Sequence, residues 1–335
     1  MREQDPAYKI YQRYRYAYDT YGYLFLSENT GEDSQGRRDG EQSFQEGKGS
    51  LGKEEALREG EEKKDGFQEE SVWSKEGEEA AQITLAQLQD YDFLMKHFYS
   101  VHASTTAGRD LMKADMLLGT GMKLEQNPQV PQILIYHTHS QETYADYGPE
   151  NPEATIVSCG EYLAELLRDR GWNVIHDTGT YDIQGGKLDR NRAYNYALDG
   201  ITGILQENPE IQVILDLHRD GVKEGTRLIS QVNGKETAKI MFFHGMSRTP
   251  EGEIAYLPNP YLKENLAFAF QMQFAAEGLY PGYTRKIYLK GLRYNLHLRG
   301  RSALIEVGAQ TNTLQEAMNA MEPLADLLDR VLQGN

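Results

Sequence analysis

The chain has 335 residues, 39 % of them hydrophobic and 26 % charged, with a formal net charge of -16. That charge argues against general binding of DNA or RNA, whose phosphates need clustered Lys and Arg, and leaves a polysaccharide or peptide substrate open. The single cysteine, Cys159, excludes an intrachain disulfide and a Cys-based zinc cluster.

Residues 1–29 are rich in tyrosine (Tyr8, Tyr11, Tyr14, Tyr16, Tyr18, Tyr21, Tyr23) at irregular spacing and lack the apolar core of a signal peptide. No run of about 18 apolar residues is present to span a membrane, so the expectation is a cytosolic protein or a chain whose anchor lies outside it. Residues 30–78 are Gly, Glu, Lys and Gln with almost no large apolar side chains. Such a stretch buries too little surface to offset its ordering entropy, which predicts a disordered linker.

Order is expected to resume near residue 80. Leu85, Leu88, Tyr91, Phe93, Leu94 and Phe98 fall at helical spacing over residues 83–101, and LMKADMLLG follows; residues 80–125 thus form a helical lead-in. The main domain spans 126–335. QILIYH (132–137) is a short continuous apolar run that suits a strand buried on both faces. Helices are predicted over 155–171, stopped by Gly171, and over 189–209, 259–278 and 312–334, the last with Glu316 in its first turn. WNVIHD, IQVILDLH (211–218), RLISQVNG, KIMFFHG and SALIEVG (302–308) read as strands. Strands alternating with helices predict a single α/β domain with a largely parallel central sheet flanked by helices.

In open α/β sheets the ligand site lies off the carboxyl ends of the strands. After QILIY comes His137-Thr138-His139-Ser140-Gln141-Glu142, at the end of IQVILDL comes His218, and inside SALIEVG sits Glu306. Catalytic zinc is often held by two His and one Glu, with a fourth position for water. The H-x-x-E spacing of His139 and Glu142 lets one turn provide two ligands, and His218 from a distant strand closes the set. Glu306 interrupts an apolar strand, where a carboxylate without partner or metal is costly, and is the candidate general base. A lone histidine at a strand end is more often structural, and H-x-x-E alone is weak; the combination carries the reading. His244 is a secondary candidate and His297 a candidate substrate contact, whereas His97, His102 and His176 read as structural or exposed. Cys159 reads as a packed thiol in a helix. Arg219 could bind a carboxylate or an oxyanion, Asp216 and Asp220 could orient an imidazole, and Arg190 and Arg293 could bind substrate carboxylates or serve equally as surface or buried ion pairs.

The strings ILIYHTHSQETY, DRNRAYNYA, NPEIQVILDLHRDG, GLRYNLHL and SALIEVGAQTNTLQEA resemble the stage II sporulation protein P family in order and spacing, over about residues 110–335. The resemblance implies a zinc N-acetylmuramoyl-L-alanine amidase acting on peptidoglycan, with endopeptidase activity also attributed to the family, and a role in dissolving septal wall during engulfment. It implies a partner, the lytic transglycosylase stage II sporulation protein D, and an extracytoplasmic, membrane-anchored protein, although no anchor helix is visible here. It also implies a fold similar to zinc amidases and carboxypeptidase-like hydrolases, which maps the metal onto His139, Glu142 and His218 and the catalytic carboxylate onto Glu306. His137 in place of His139, and Glu153 in place of Glu142, stay open. Two readings of other classes also stay open: a zinc endopeptidase that cuts stem peptides, and an inactive module that recruits a partner.

Overall fold

The computed structural model describes residues 83–190 and 192–334. The tyrosine-rich segment and the charged linker expected over 1–29 and 30–78 lie outside the described residues. Among the described residues no helix is long and apolar enough to cross a membrane.

The first helical pattern is not one helix. Asp90 ends α1 (Leu85–Gln89) and caps α2 (Tyr91–Phe98), its Oδ1 accepting the Phe93 N–H at 2.8 Å. The chain then extends into β1 (Tyr99–Val101), where helix was expected, because Tyr99 to Val101 pair with the later strand β12 (Ile287–Lys290). Tertiary pairing overrides helical spacing here, and the segment before residue 126 becomes an edge of the main sheet. A short helix, α3 (Ala114–Gly119), follows.

The seven-stranded sheet runs β1, β12, β9 (Ile240–Gly245), β13 (Ser302–Ala309), β6 (Val213–Asp220), β2 (Ile133–Tyr136), β3 (Val174–His176). Five of its six pairings are parallel; β13 against β9 is antiparallel. That one reversal has a consequence for the site. The carboxyl ends of β13, β6 and β2 share an edge with the amino ends of β9 and β12. The segment around RLISQVNG does not join this sheet. It forms a separate hairpin, β7 (Ile229–Val232) with β8 (Lys235–Ala238), turned by Asn233 and Gly234 at φ 52° and 77°. Two smaller hairpins pair β4 (Ile183–Gln184) with β5 (Lys187–Leu188) and β10 (Arg248–Thr249) with β11 (Gly252–Glu253).

Strand alternation assigns the faces. Ile133, Ile135, Val213, Leu215, Leu217, Ile305 and Val307 point into the larger core with α4 (Ile156–Arg168), α6 (Leu262–Leu279) and α7 (Leu314–Gln333). Leu134, Tyr136 and Ile214 point the other way and pack on Ala197, Leu198, Ile201 and Leu205 of α5 (Ala193–Glu207). Asp216 and His218 share parity with Ile214, and Glu306 pairs directly with His218. All three therefore project onto the face that α5 covers.

Candidate metal and acid-base site

The loop after β2 is clamped before it delivers any functional group. Buried Asp216 accepts the Thr138 N–H at 2.9 Å and its hydroxyl at 2.6 Å. Asp182, fully buried, accepts the Ser140 hydroxyl at 2.9 Å and the Gln141 N–H at 3.1 Å. Between these anchors the Glu142 N–H turns back onto the His139 carbonyl at 3.2 Å. His139 and Glu142 thus face β6 from one short turn.

Glu142 Oε2 accepts the Arg219 N–H at 2.9 Å and lies 3.6 Å from His218 Nδ1. On its other side His218 Nε2 lies 2.9 Å from Asp216 Oδ1. The His139 ring meets His218 edge-on, centroids 5.2 Å apart. Three polar atoms here are enclosed without an aligned hydrogen bond: His139 Nδ1, Glu306 Oε2 and His218 Nε2, the last despite its 2.9 Å approach to Asp216. Buried polar groups are normally satisfied, so each such atom calls for an explanation.

The charges follow from this packing. Burial opposes ionisation of Glu142, yet His218, His139 and the Arg219 amide outweigh it and hold the carboxyl below its ordinary value. Burial likewise opposes charge on His218, and Asp216 and Glu142 reverse it, holding the imidazole well above the usual range. His139 is pushed down to about 4, by burial and then by the His218 charge. Glu306 is pushed up to about 8, chiefly by burial, with Glu142 and Asp220 adding and His218 and Arg285 opposing.

Zinc is the metal to test against this arrangement. The donor types fit: two imidazoles, one carboxylate, and Asp216 behind His218 as an orienting carboxylate. The 3.6 Å between His218 Nδ1 and Glu142 Oε2 is long for a hydrogen bond. It is near the separation of roughly 3.3 Å that two ligands of one tetrahedral ion would have. Among the described residues no three His, Cys, Asp or Glu side chains already converge as a finished chelate, so His139, with its unpartnered Nδ1, would complete the set only on turning inward.

The other expected residues fall in distinct places. His137 does not face this cluster; its Nδ1 bonds the Leu217 carbonyl at 3.0 Å and its Nε2 meets His176 Nε2 at 2.9 Å. Glu153 is exposed before α4. His244 ends β9, which runs opposite to β13, and so lies at the far edge of the sheet. Arg190 is exposed, and its charge reaches His139. Arg219 donates through its guanidinium to the carbonyls of Thr143 and Asp220, bracing the Glu142 turn. Asp220 pairs with Arg285 at 2.6 Å. Arg293 and His297 are buried in the 291–299 loop, with Arg293 reaching the Pro258 carbonyl at 3.5 Å.

Three contributors escape sequence reading. Asp182 and Thr138 work through hydrogen bonds that no spacing encodes. Tyr194 sits in the first turn of α5, stacked parallel to His218 and edge-on to His139; its one signal is its place in DRNRAYNYA, a string that borders the site.

The amidase AmiC2 of Nostoc punctiforme superposes with a TM-score of 0.38 at 12 % identity, covering 63 % of this chain and 98 % of that one. The CwlD amidase from Clostridioides difficile, solved in complex with the GerS lipoprotein, gives 0.38 at 15 %, covering 61 % and 97 %. Those superpositions are partial and do not bear on residues or activity. Stage II sporulation protein P of Bacillus subtilis (strain 168) is 25 % identical over 217 residues, 59 % of this chain and 50 % of that protein. The chain thus spans about half the length of that relative. The family pattern of stage II sporulation protein P matches residues 20–329, nearly the whole chain and every strand that builds the site, so the chain belongs to the stage II sporulation protein P family.

Proposed function

We propose that the chain is a zinc-dependent N-acetylmuramoyl-L-alanine amidase that hydrolyses septal peptidoglycan in sporulation. The family resemblance points to the substrate. One observation supports the chemistry above all others: Glu306 Oε2 is enclosed without a partner, on the residue that pairs directly with His218, beside Glu142. A structural carboxylate in that position would have a partner.

His139, Glu142 and His218 would hold the zinc. Bound there, it would supply Lewis acidity and an acidified water. Asp216, 2.9 Å from His218 Nε2, would orient that imidazole, and the Arg219 amide donates to Glu142. Glu306 receives the proton of the attacking water at Oε2 and passes it to the leaving L-alanine nitrogen. Burial that raises its affinity for a proton suits it to hold one between these two steps. Arg190, exposed and near enough for its charge to act on His139, would attract a stem-peptide carboxylate.

The test has two parts. Elemental analysis of the zinc-replete chain is expected to give close to one zinc per chain, lost in His218→Ala. Mass analysis of digested wall is expected to show free lactyl groups and intact stem peptides. Cut stem peptides would make the protein an endopeptidase, and absence of zinc would leave the reading of an inactive recruiting module.

A further inference from the structure

Tyr194 is fixed on every side except at its hydroxyl. Its half-buried ring lies parallel to His218, with centroids 6.3 Å and planes 15° apart, and edge-on to His139 at 5.5 Å. Tyr294 closes its far side edge-on at 5.4 Å. The Asn295 side-chain amide donates to the Tyr194 carbonyl at 2.8 Å. Tyr294 and Asn295 hold consecutive left-handed backbone, φ 50° and 56°, a conformation that non-glycine residues adopt rarely and that clusters at working sites.

Several phenols of the fold have settled partners: Tyr144 donates to the Val307 carbonyl at 3.0 Å, Tyr283 to Ala320 at 2.6 Å, Tyr91 to Ala107 at 2.6 Å. The Tyr194 hydroxyl has none among the described residues, and it is not sealed in the interior. A donor held in place beside two imidazoles, with nothing to donate to, is preorganised for an oxygen that arrives with substrate.

We propose that Tyr194 is a catalytic residue whose hydroxyl donates a hydrogen bond to the carbonyl oxygen of the scissile amide as that oxygen gains negative charge. This rests on the amide-hydrolase reading above. In the step, water oxygen bonds to the carbonyl carbon, the C–N bond breaks, and Glu306 carries the proton from water to nitrogen. Tyr194 keeps its own proton throughout. The two groups also approach His218 from different sides, Glu306 from the adjacent strand and Tyr194 from the covering helix. That leaves the base and the oxygen donor free to act on different atoms.

The test is Tyr194→Phe in the full, zinc-supplemented chain, which keeps the ring contacts and removes the hydroxyl. On isolated peptidoglycan kcat is expected to fall about 100-fold, the usual scale for one oxyanion donor, with KM within about threefold. Affinity for a phosphinate analogue of the muramoyl-alanine bond, measured by calorimetry, is expected to fall by a similar factor. Zinc content and unfolding midpoint are expected to stay at wild-type values. A kcat within about threefold of wild type overturns the proposal, as does a loss that tracks with lost zinc or a lowered midpoint. If the wild-type chain hydrolyses no amide of the wall, the underlying function fails and takes this inference with it. An active wild type with an unaffected variant defeats the role of Tyr194 alone.

Discussion

Two histidines leave the end of β2 two residues apart, and the structure treats them in opposite ways. His137 turns under α4 into a closed chain of bonds: Leu217 carbonyl, His137, His176, and Glu161 Oε2 at 2.7 Å from His176 Nδ1. His139 turns toward α5, where its Nδ1 is enclosed without a partner beside His218. The first histidine is satisfied and the second is not. Buried polar groups are normally satisfied, so the unmet Nδ1 of His139 calls for an explanation that His137 does not need. The same contrast separates Glu142, tied to the Arg219 amide, from Glu306, whose Oε2 has nothing.

The largest effect is expected from Glu306→Gln. If the unpartnered carboxylate moves the proton, the variant keeps its zinc and loses turnover by a factor of about 100 to 10,000, the usual range for a general acid-base group. Activity within about tenfold of wild type would end that assignment. The same variant should change the pH dependence of stability in metal-free protein. The folded carboxyl holds its proton up to about pH 8, against an ordinary value of 4.5. Between those limits the unfolded chain has released a proton that the folded chain keeps. Stability therefore falls as pH rises, by up to about 1.4 kcal/mol per pH unit from this group. Denaturant titrations across that window should show a flatter dependence for the glutamine variant.

Next come the histidines themselves. His137→Ala strands the Leu217 carbonyl and His176 Nε2 and leaves a cavity, and should cost about 2–4 kcal/mol of stability with zinc binding retained. His139→Ala should do the reverse, removing zinc while the apo protein keeps its midpoint. A swap of these two outcomes would move the metal to His137. Gly160→Ala sharpens the point. In a helix the change ordinarily stabilises by roughly 1 kcal/mol. Here the new Cβ would come within 2.5 Å of His137 Nε2 and 2.6 Å of His176 Nε2. The expected sign reverses, to a loss of about 1–3 kcal/mol by chemical denaturation.

The contrast also explains what could be read from the chain. Apolar runs and helical spacing located β2, β6, β13 and the helices between them, because burial of those faces depends on local pattern alone. His139, Glu142, His218 and Glu306 could be singled out because strand ends collect chemistry in parallel sheets; their roles rest on the proposed function. The choice between His137 and His139 was not, since both follow the same strand and only the packing of Gly160 and the carbonyl of Leu217 turn them apart. β1 was read as helix, since its pairing with β12, itself unseen, lies nearly two hundred residues away. Tyr194 was invisible as a site residue because its role depends on a helix lying over the sheet.

The smallest effect is expected at the outer end of the closed chain. The Leu217 carbonyl only accepts, so His137 Nδ1 carries a proton; the Glu161 carboxylate only accepts, so His176 Nδ1 carries another; and the bond between the two Nε2 atoms needs a third. Three protons on two imidazoles make one positive charge. Burial, then the neighbouring His176, push His137 down to about 3. Glu161 is half exposed, and water screens the pair. In Glu161→Gln the amide oxygen still accepts from His176 Nδ1, and what is lost is the carboxylate charge, which also faces Arg168 at 3.1 Å. The expected cost is below about 1 kcal/mol, shrinking with added salt, with zinc content and turnover unchanged. A loss above about 2 kcal/mol, or any loss of zinc, would mean that the His137 chain reaches the site through Leu217 and His218, and that the two histidines of β2 are not separate after all.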